Sequence, residues 1–334
     1  MKRSFYTCIQ IWEKMRIIKT LLLYLLLMTL GCNKVNKYER IDESDTPNNT
    51  ISVCETENTE NDLIKKKLKG KVKSVKKHFF SLTEKFGELV IDESSLVNVE
   101  HLKFNEKGKL IFQEILLGDR SSSKQIFKYD DKGYIIEKKL YKYLEIENTI
   151  RYKYDIKGNE TEIKYYDEVG VITSKGHKTY DNNGNCIVSD YYDKDGILTS
   201  KYKNKFDING NCIEVNGYKG DGSLSYESKR EYNSKNQIIE ITINDLDDKS
   251  LTNKSTYKYD TEGNNIETKG YDLNGDLKYH FIYKYDNMGN QVEERSNNFT
   301  TIRKYEYDEK NNWVRRDLSG FSETLTEREI EYYE

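Results

Sequence analysis

The chain is poor in the residues that catalytic and metal sites use. Only four histidines occur among 334 residues, and they occupy unrelated positions of the sequence: His78, His101, His177 and His280. The sequence contains no glycine-rich phosphate loop, no His-Glu-x-x-His, no Gly-x-Ser-x-Gly and no Cys-x-x-Cys, the short motifs that carry common enzyme and metal chemistry. We therefore expect a non-enzymatic protein with no catalytic site, no metal and no cofactor. An enzyme with an unrecognised site is the alternative.

Proline and aliphatic residues are also scarce. A single proline leaves long strands uninterrupted, and 36% hydrophobic residues is little for a two-layer domain of this length. Tyrosine is abundant, with 28 copies, and its ring can cover a sheet while its hydroxyl stays in water. This composition favours an elongated protein with a thin core. The formal net charge of −3 is spread over interspersed Lys and Glu, so no nucleic-acid partner is expected.

The first 32 residues have the pattern of an export signal. Basic residues at Arg16 and Lys19 precede an apolar run from Leu21 to Leu30, which ends at Gly31-Cys32. About ten apolar residues are too few to span the membrane as a helix, but they suit a signal peptide. The segment resembles the signal peptides of bacterial lipoproteins. That resemblance implies lipidation (palmitate) of Cys32 and a lipid-anchored position in the cell envelope, at the outer membrane. An ordinary secretory signal and an uncleaved anchor are the alternatives.

Three parts of the chain differ in composition. Residues 1–31 form the predicted signal peptide, of which 1–14 are an extension if translation starts at Met15. Residues 32–62 are rich in Asn, Glu, Thr and Asp and predict a disordered tether. Residues 63–334 carry the repeats and predict a β domain with capping strands.

A motif of an aromatic residue, Asp or Asn, two variable residues and then Gly or Asn recurs nine times at intervals of 22 to 27 residues. The copies start at Phe104, Tyr129, Tyr154, Tyr180, Phe206, Tyr232, Tyr259, Tyr285 and Tyr307. A weaker copy follows twelve residues later in the central repeats, for example at Tyr166 and Tyr192. Two turn signals per repeat, with strand-like residues between them, predict an antiparallel hairpin in each unit.

The turn chemistry gives each motif residue a structural role. Asp or Asn hydrogen-bonds the backbone at the entry to the turn, and Gly accepts a positive φ. The predicted turn residues are Tyr154, Asp155, Gly158, Tyr180, Asp181, Gly184, Phe206, Asp207, Gly210, Tyr259, Asp260, Gly263, Tyr285, Asp286 and Gly289. A calcium loop is the alternative reading of these Asp-Gly strings. We favour the turn because an EF-hand loop needs Gly at its sixth position, whereas Gly is fourth here.

Alternation at period two, as in Tyr152/Tyr154 and Tyr283/Tyr285, predicts one tyrosine face and one charged face per strand. The tyrosines are then either structural cross-strand contacts or a ligand-binding surface.

Seven residues after each motif start, eight of nine residues are β-branched aliphatics, which predicts a core position. The residue before it is variable and includes Cys186 and Cys212. With two strands per repeat these cysteines lie about 9.5 Å apart, so no disulfide between them is expected.

The Tyr-Asp-x-x-Gly-Asn units resemble the YD repeats of Rhs-type bacterial proteins, from about Phe104 to Asn312. The resemblance implies an all-β fold, a repetitive hairpin meander in a twisted or spiralling sheet. In that family such sheets close into shells around a cargo. With about nine units, encapsulation is not expected here, and the sequence leaves an open or a closed sheet undecided.

These observations support a lipid-anchored, monomeric envelope protein whose repeat array is a non-enzymatic binding or scaffold surface. The expected partners are the membrane, through the lipid, and a glycan or an envelope protein. The alternative is a component of a toxin or secretion system, as a shell fragment or an immunity-like partner.

Overall fold

Nearly all of the described chain lies in antiparallel strands and the turns between them. The structure is a computed structural model that describes residues 61–85, 88–91, 95–118, 120–248, 253–320 and 323–334. The predicted signal peptide, the lipidation site Cys32 and all but the last two residues of the predicted tether lie outside these ranges. Within the ranges, no helix is long and apolar enough to cross a membrane.

In the described part of the chain, one short helix precedes 22 strands. The elements are α1 (Asp62–Lys65), β1 (Val72–Ser81), β2 (Thr83–Lys85), β3 (Glu88–Val90), β4 (Leu96–Phe104), β5 (Leu110–Leu117), β6 (Arg120–Tyr129), β7 (Ile135–Lys142), β8 (Glu145–Tyr154), β9 (Glu160–Tyr166), β10 (Ile172–Tyr180), β11 (Cys186–Asp193), β12 (Leu198–Phe206), β13 (Cys212–Lys219), β14 (Leu224–Tyr232), β15 (Ile238–Asp245), β16 (Asn253–Tyr259), β17 (Asn265–Tyr271), β18 (Leu277–Tyr285), β19 (Gln291–Arg295), β20 (Thr300–Tyr307), β21 (Trp313–Ser319) and β22 (Thr324–Tyr332).

Twenty of the strands form a single sheet that closes on itself. Strands β4 to β22 pair with their neighbours in chain order, and β1 pairs with β22 on one side and with β4 on the other. Strands β2 and β3 form a separate hairpin. The predicted all-β hairpin meander is confirmed. Closure, which the sequence left undecided, is decided by the pairing of β1 with β22.

A β-bulge follows each repeat turn and changes which residues face the core. After the turn at Asp181, Tyr180 pairs with Cys186 and Thr179 pairs with Val188, so Ile187 is the extra residue of the bulge. The same irregularity recurs beside the other turns of the motif, as at Ile213 and Ile239. The prediction that the repeated aliphatic residue is a core position is therefore wrong. All nine of these residues are half-buried, whereas the variable residue before them is buried at Leu110, Glu160, Cys186, Cys212 and Ile238.

The two faces of the sheet differ in burial. One face, which we call the tyrosine face, carries most of the buried strand residues; in the central repeats these include Tyr152, Cys186, Ser189, Tyr191, Cys212, Val215, Ser228, Ile238, Ile241 and Ile243. The alternate residues form the charged face, where ion pairs such as Arg151–Glu137 and Lys205–Glu214 join neighbouring strands. One face of a closed sheet must point inward, and we assign the more buried face to the interior because side chains are more crowded on the inner, concave side.

The segment around α1 covers part of one rim of the closed sheet. Leu63 and Leu68 pack in a cluster with Val75, Leu102 and Phe104 of the tyrosine face. The side chain of Asn61 caps α1 through the Leu63 amide at 2.8 Å. Asp62 accepts a hydrogen bond from the Leu110 amide at 2.7 Å. Asn61 and Asp62, the last two residues of the predicted tether, therefore belong to the folded domain.

Candidate binding surface inside the closed sheet

The repeat turns are built by the Asp and Asn of the motif. In the turn that follows Tyr154, Asp155 Oδ1 accepts hydrogen bonds from the amides of Lys157 and Asn159 at 2.8 and 2.9 Å. Asp155 Oδ2 accepts a bond from the Asn159 side-chain amide at 2.9 Å, and these bonds lower the pKa of Asp155. Gly158 closes the turn with φ of +86°.

The same geometry is present at the other turns with this motif. Asp181, Asp207 and Asp286 each accept bonds from the amides two and four residues later, and Asp260 accepts one from the amide four residues later. Gly184, Gly210, Gly263 and Gly289 all have positive φ. The carboxylate oxygens are thus engaged by the turn itself. Among the described residues, no group of three or more His, Cys, Asp or Glu side chains could hold a metal ion.

The tyrosine of the motif bonds to the preceding repeat. The Tyr180 hydroxyl donates to the carbonyl of Glu160 at 2.7 Å, and burial raises the pKa of Tyr180. Equivalent bonds run from Tyr129 to Leu110, from Tyr154 to Ile135, from Tyr232 to Cys212, from Tyr259 to Ile238 and from Tyr285 to Asn265, at 2.7 to 2.9 Å. Each accepting carbonyl belongs to the strand residue that enters a bulge. These hydroxyls therefore have a structural role.

Two repeats make this bond with a different donor. Phe206 has no hydroxyl, and the side-chain amide of Asn204 donates to the Cys186 carbonyl at 2.8 Å. The last interval is only 22 residues long, and Tyr305 rather than Tyr307 donates to the Gln291 carbonyl, at 3.1 Å. The bond persists although the residue that provides it changes, so the carbonyl at the bulge requires a donor.

The closed sheet has room for more than its own side chains if its cross-section is round. A round ring of twenty strands about 4.8 Å apart has a radius of at least about 15 Å. Most tyrosines of this face are accordingly half-buried rather than buried, including Tyr165, Tyr202, Tyr226, Tyr279 and Tyr283. Rings also lie flat over strand glycines. A Cβ on Gly270 would meet the Tyr279 ring at 1.9 Å. The face therefore presents aromatic rings to the interior.

The tyrosine face also carries charged side chains. The prediction of one tyrosine face and one charged face per strand puts these on the opposite, charged face. Glu160 and Lys178 form an ion pair at 3.0 Å with side-chain exposures of only 3% and 7%, and burial raises the pKa of Glu160. Lys77 pairs with Glu100, and burial lowers the pKa of Lys77. Arg303 pairs with Glu294 at 3.0 Å. Lys178, Glu100 and Arg303 lie two or four residues before an aromatic residue of the motif, so the alternation itself places them on this face, whereas Glu294 reaches it after the bulge at Val292.

Both cysteines of the variable position are buried, and neither forms a disulfide. They lie on β11 and β13, two strands apart, which agrees with the prediction that no disulfide joins them. Cys186 contacts the Ser189 hydroxyl at 3.4 Å, and burial raises the pKa of its thiol. Cys212 contacts the Arg230 guanidinium at 3.4 Å. A buried thiol with a raised pKa is a poor nucleophile.

Comparison with known proteins yields structural likeness only. No protein-family model matches the chain, and no curated protein sequence matches it. A porin-like protein from Bacteroides uniformis is 10% identical with a TM-score of 0.35, over 78% of this chain and 98% of that one. The Tc holotoxin pore of Photorhabdus luminescens is 12% identical with a TM-score of 0.31, over 73% of this chain. A TcdB2–TccC3 complex is 12% identical with a TM-score of 0.32, over 70% of this chain. The chain spans 16% of each toxin chain, and likeness of this degree gives no information on function.

Proposed function

We propose that the protein is a non-enzymatic binding protein of the cell envelope, anchored by a lipid on Cys32, that binds its ligand on the tyrosine face inside the closed sheet. One observation carries the proposal: half-buried tyrosine rings line one face of a closed sheet of twenty strands. The hydroxyls that bond to bulge carbonyls hold their strands together, while the half-buried ring faces stay available to a ligand.

The chemistry of this face suits a glycan or an extended segment of an envelope protein. Aromatic rings offer large apolar contacts with polar edges, and the partly exposed ion pairs Lys77–Glu100 and Arg303–Glu294 of the same face offer hydrogen-bonding groups at fixed positions. Ligand sites combine the same two elements, an apolar lining and a few well-placed polar groups.

A binding screen of the full chain against envelope glycans and envelope proteins tests the proposal. Tyr202, on the tyrosine face, is the residue to change, and Tyr218, whose ring contacts Lys203 on the charged face, is the matched control. We expect Tyr202→Leu to weaken binding and Tyr218→Leu to leave it unchanged. Equal effects of the two variants, with both folded by circular dichroism, contradict a site inside the sheet.

The anchor is tested separately by labelling cells with palmitate. The full chain should incorporate the label and sediment with the outer membrane, and Cys32→Ser should do neither. A labelled Cys32→Ser variant, or a wild-type chain that is exported without label, refutes the lipid anchor but leaves the binding site untouched.

The second candidate, a shell fragment or immunity-like partner in a toxin or secretion system, gains support from the closure of the sheet. A closed sheet can hold a peptide out of reach of proteases. If a polypeptide co-purifies with the full chain and survives digestion until the sheet is unfolded, this candidate is favoured. Genes for polymorphic toxins beside this one would favour it as well.

A further inference from the structure

Exposed apolar side chains gather on one rim of the closed sheet. The hairpin turns alternate between the two rims, and the turns after β5, β7, β9 and β11 lie on the rim opposite to α1, which contacts the start of β5. Neighbouring turns on a rim are two strands, about 9.6 Å, apart, so these four turns span about 29 Å. They expose six apolar residues, which we call the apolar crest: Leu117, Tyr143, Leu144, Val169, Val171 and Ile197.

Exposed apolar residues at the other described turns are isolated. On the opposite rim, Ile156 and Ile208 are separated by the polar turn at residues 181–185. On the rim of the crest, Leu273 and Leu277 lie beyond the turns after β13 and β15, whose described residues expose no large apolar side chain. Single exposed apolar residues are ordinary, whereas a contiguous group marks an interaction surface.

The turn after β7 is strained as well as exposed. Tyr143 and Leu144 form a two-residue hairpin loop with φ of +49° and +78°, the conformation for which Asn-Gly is the preferred sequence. Their exposures of 67% and 68% show that burial does not compensate for this strain. The Tyr143 ring lies 5.9 Å from the ammonium group of Lys142, which is itself exposed. Backbone strain that packing does not explain points to a function for these side chains.

The crest has acidic surroundings. The turns after β7, β9 and β11 contain five acidic residues and two lysines, and one of the lysines pairs with a neighbouring aspartate. These residues are Glu145, Asp167, Glu168, Asp193, Asp195, Lys142 and Lys194. Like charges disfavour contact between two copies of the crest. An excess of acids also disfavours anionic lipid headgroups, which attract basic surfaces. The charge therefore complements a basic partner.

We propose that the apolar crest is a docking surface for a partner protein that presents apolar side chains flanked by lysine or arginine. Tyr143 and Leu144 enter the apolar part of the partner, and the acidic residues around them pair with its basic residues. The surface lies on the rim, outside the tyrosine face. It goes beyond the proposed function and does not depend on the ligand site inside the sheet.

A replacement of the strained turn separates binding from stability. Tyr143→Asn with Leu144→Gly introduces the sequence that this loop conformation prefers, so it should raise the urea midpoint of the full chain. The same change removes the most exposed aromatic side chain of the crest. A purely structural role of Tyr143 and Leu144 predicts the opposite, a lower midpoint.

The binding probe is a short fluorescent peptide that contains leucine and lysine in equal numbers, followed by anisotropy. We expect the full chain to bind it and to bind the serine–lysine and leucine–glutamate counterparts about tenfold more weakly. The turn replacement should weaken binding of the leucine–lysine peptide by about tenfold as well. Ile156→Asn and Ile208→Asn, which remove exposed apolar residues from the opposite rim, are the matched controls and should leave binding unchanged.

A second variant keeps the test valid if the turn replacement does not fold. Val171→Ser with Ile197→Ser copies Ser223, which holds the same place in the turn after β13. The carbonyls of all three residues accept the backbone bond that closes their turns, at 2.9 to 3.0 Å. The turns should therefore persist, and binding of the leucine–lysine peptide should fall.

Four results overturn the proposal. The leucine–lysine peptide does not bind, or it binds the wild type and both crest variants equally. Vesicles of phosphatidylglycerol bind the wild type but not the crest variants, which assigns the crest to a membrane. The wild type dimerises in analytical ultracentrifugation and the crest variants do not, which assigns the crest to a second copy. The proposed function is tested by Tyr202→Leu and is unaffected by all four.

Discussion

The hydroxyl of Tyr180 offers a direct test of what the repeated tyrosine does. Tyr180→Phe removes one hydrogen bond to the Glu160 carbonyl, 2.7 Å long in the structure, and keeps the ring. The loss of the bond, with the carbonyl left unpaired in a partly buried site, should cost about 1–3 kcal/mol. In a domain of this size, that corresponds to a fall of about 2–10 °C in Tm.

Urea unfolding followed by circular dichroism measures this cost. Tyr192→Phe is the control, because the Tyr192 ring contacts Lys175 on the charged face and stays in place. We expect the control to lie within about 0.5 kcal/mol of the wild type, as surface substitutions usually do. A Tyr180→Phe variant as stable as the control would refute the structural role of the hydroxyl.

The repeat that has Phe206 in place of the tyrosine allows a rescue experiment. Asn204→Ala removes the amide that donates to the Cys186 carbonyl at 2.8 Å, and it should destabilise the domain by a similar amount. Adding Phe206→Tyr to that variant places a hydroxyl where the other repeats have one. The double variant should recover part of the lost stability, whereas Phe206→Tyr alone should gain little. Failure of the rescue would show that the carbonyl does not need a donor.

Three further outcomes follow from the structure. Gly184→Ala forces a side chain onto a residue with φ of +80° and should cost about 1–2 kcal/mol in urea unfolding; Gly184→Asn should cost less, because Asn236 occupies an equivalent position. Hydrogen bonds from two lysines and a histidine lower the pKa of Glu267 to about 2. Its contribution to stability should therefore be complete above its unfolded pKa of about 4.3 and disappear as pH falls towards 2; an NMR titration giving an ordinary pKa would contradict this. Cys186 and Cys212 should resist a thiol reagent until the protein is unfolded, and mass spectrometry of the unreduced chain should find no link between them.

Local chemistry explains which parts of the fold were predictable. The turns could be recognised because Asp155 and Gly158 act on the backbone within four residues of themselves. The hairpin of β7 and β8 was missed at its turn, since Tyr143 and Leu144 adopt positive φ without Gly. Closure could not be predicted, because it depends on contacts between β1 and β22, about 250 residues apart.

The faces were harder to assign than the strands. Side chains alternate between the two faces within a strand, but each bulge adds a residue and shifts this alternation by one. Ile187 is therefore half-buried, whereas Cys186 is buried. The contact of Arg316 and Arg328 with Trp313 was missed because it joins two strands. The bulge at Val314 places Arg316 on the same face as Trp313, and pairing with β22 brings Arg328 beside them. No local pattern in the sequence marks that contact.

The pairing of β1 with β22 has a consequence for the order in which the protein folds. Each interior hairpin can form from about 26 neighbouring residues, but the ring has two open edges until its first and last strands meet. Contacts so distant along the chain form slowly. Until the ring closes, its two exposed edge strands can pair with other chains. We therefore expect closure of the ring to be the slowest step of folding and the stage most prone to aggregation. The acidic residues Glu327, Glu329 and Glu331 along β22 would then protect that edge until the basic residues of β1 arrive.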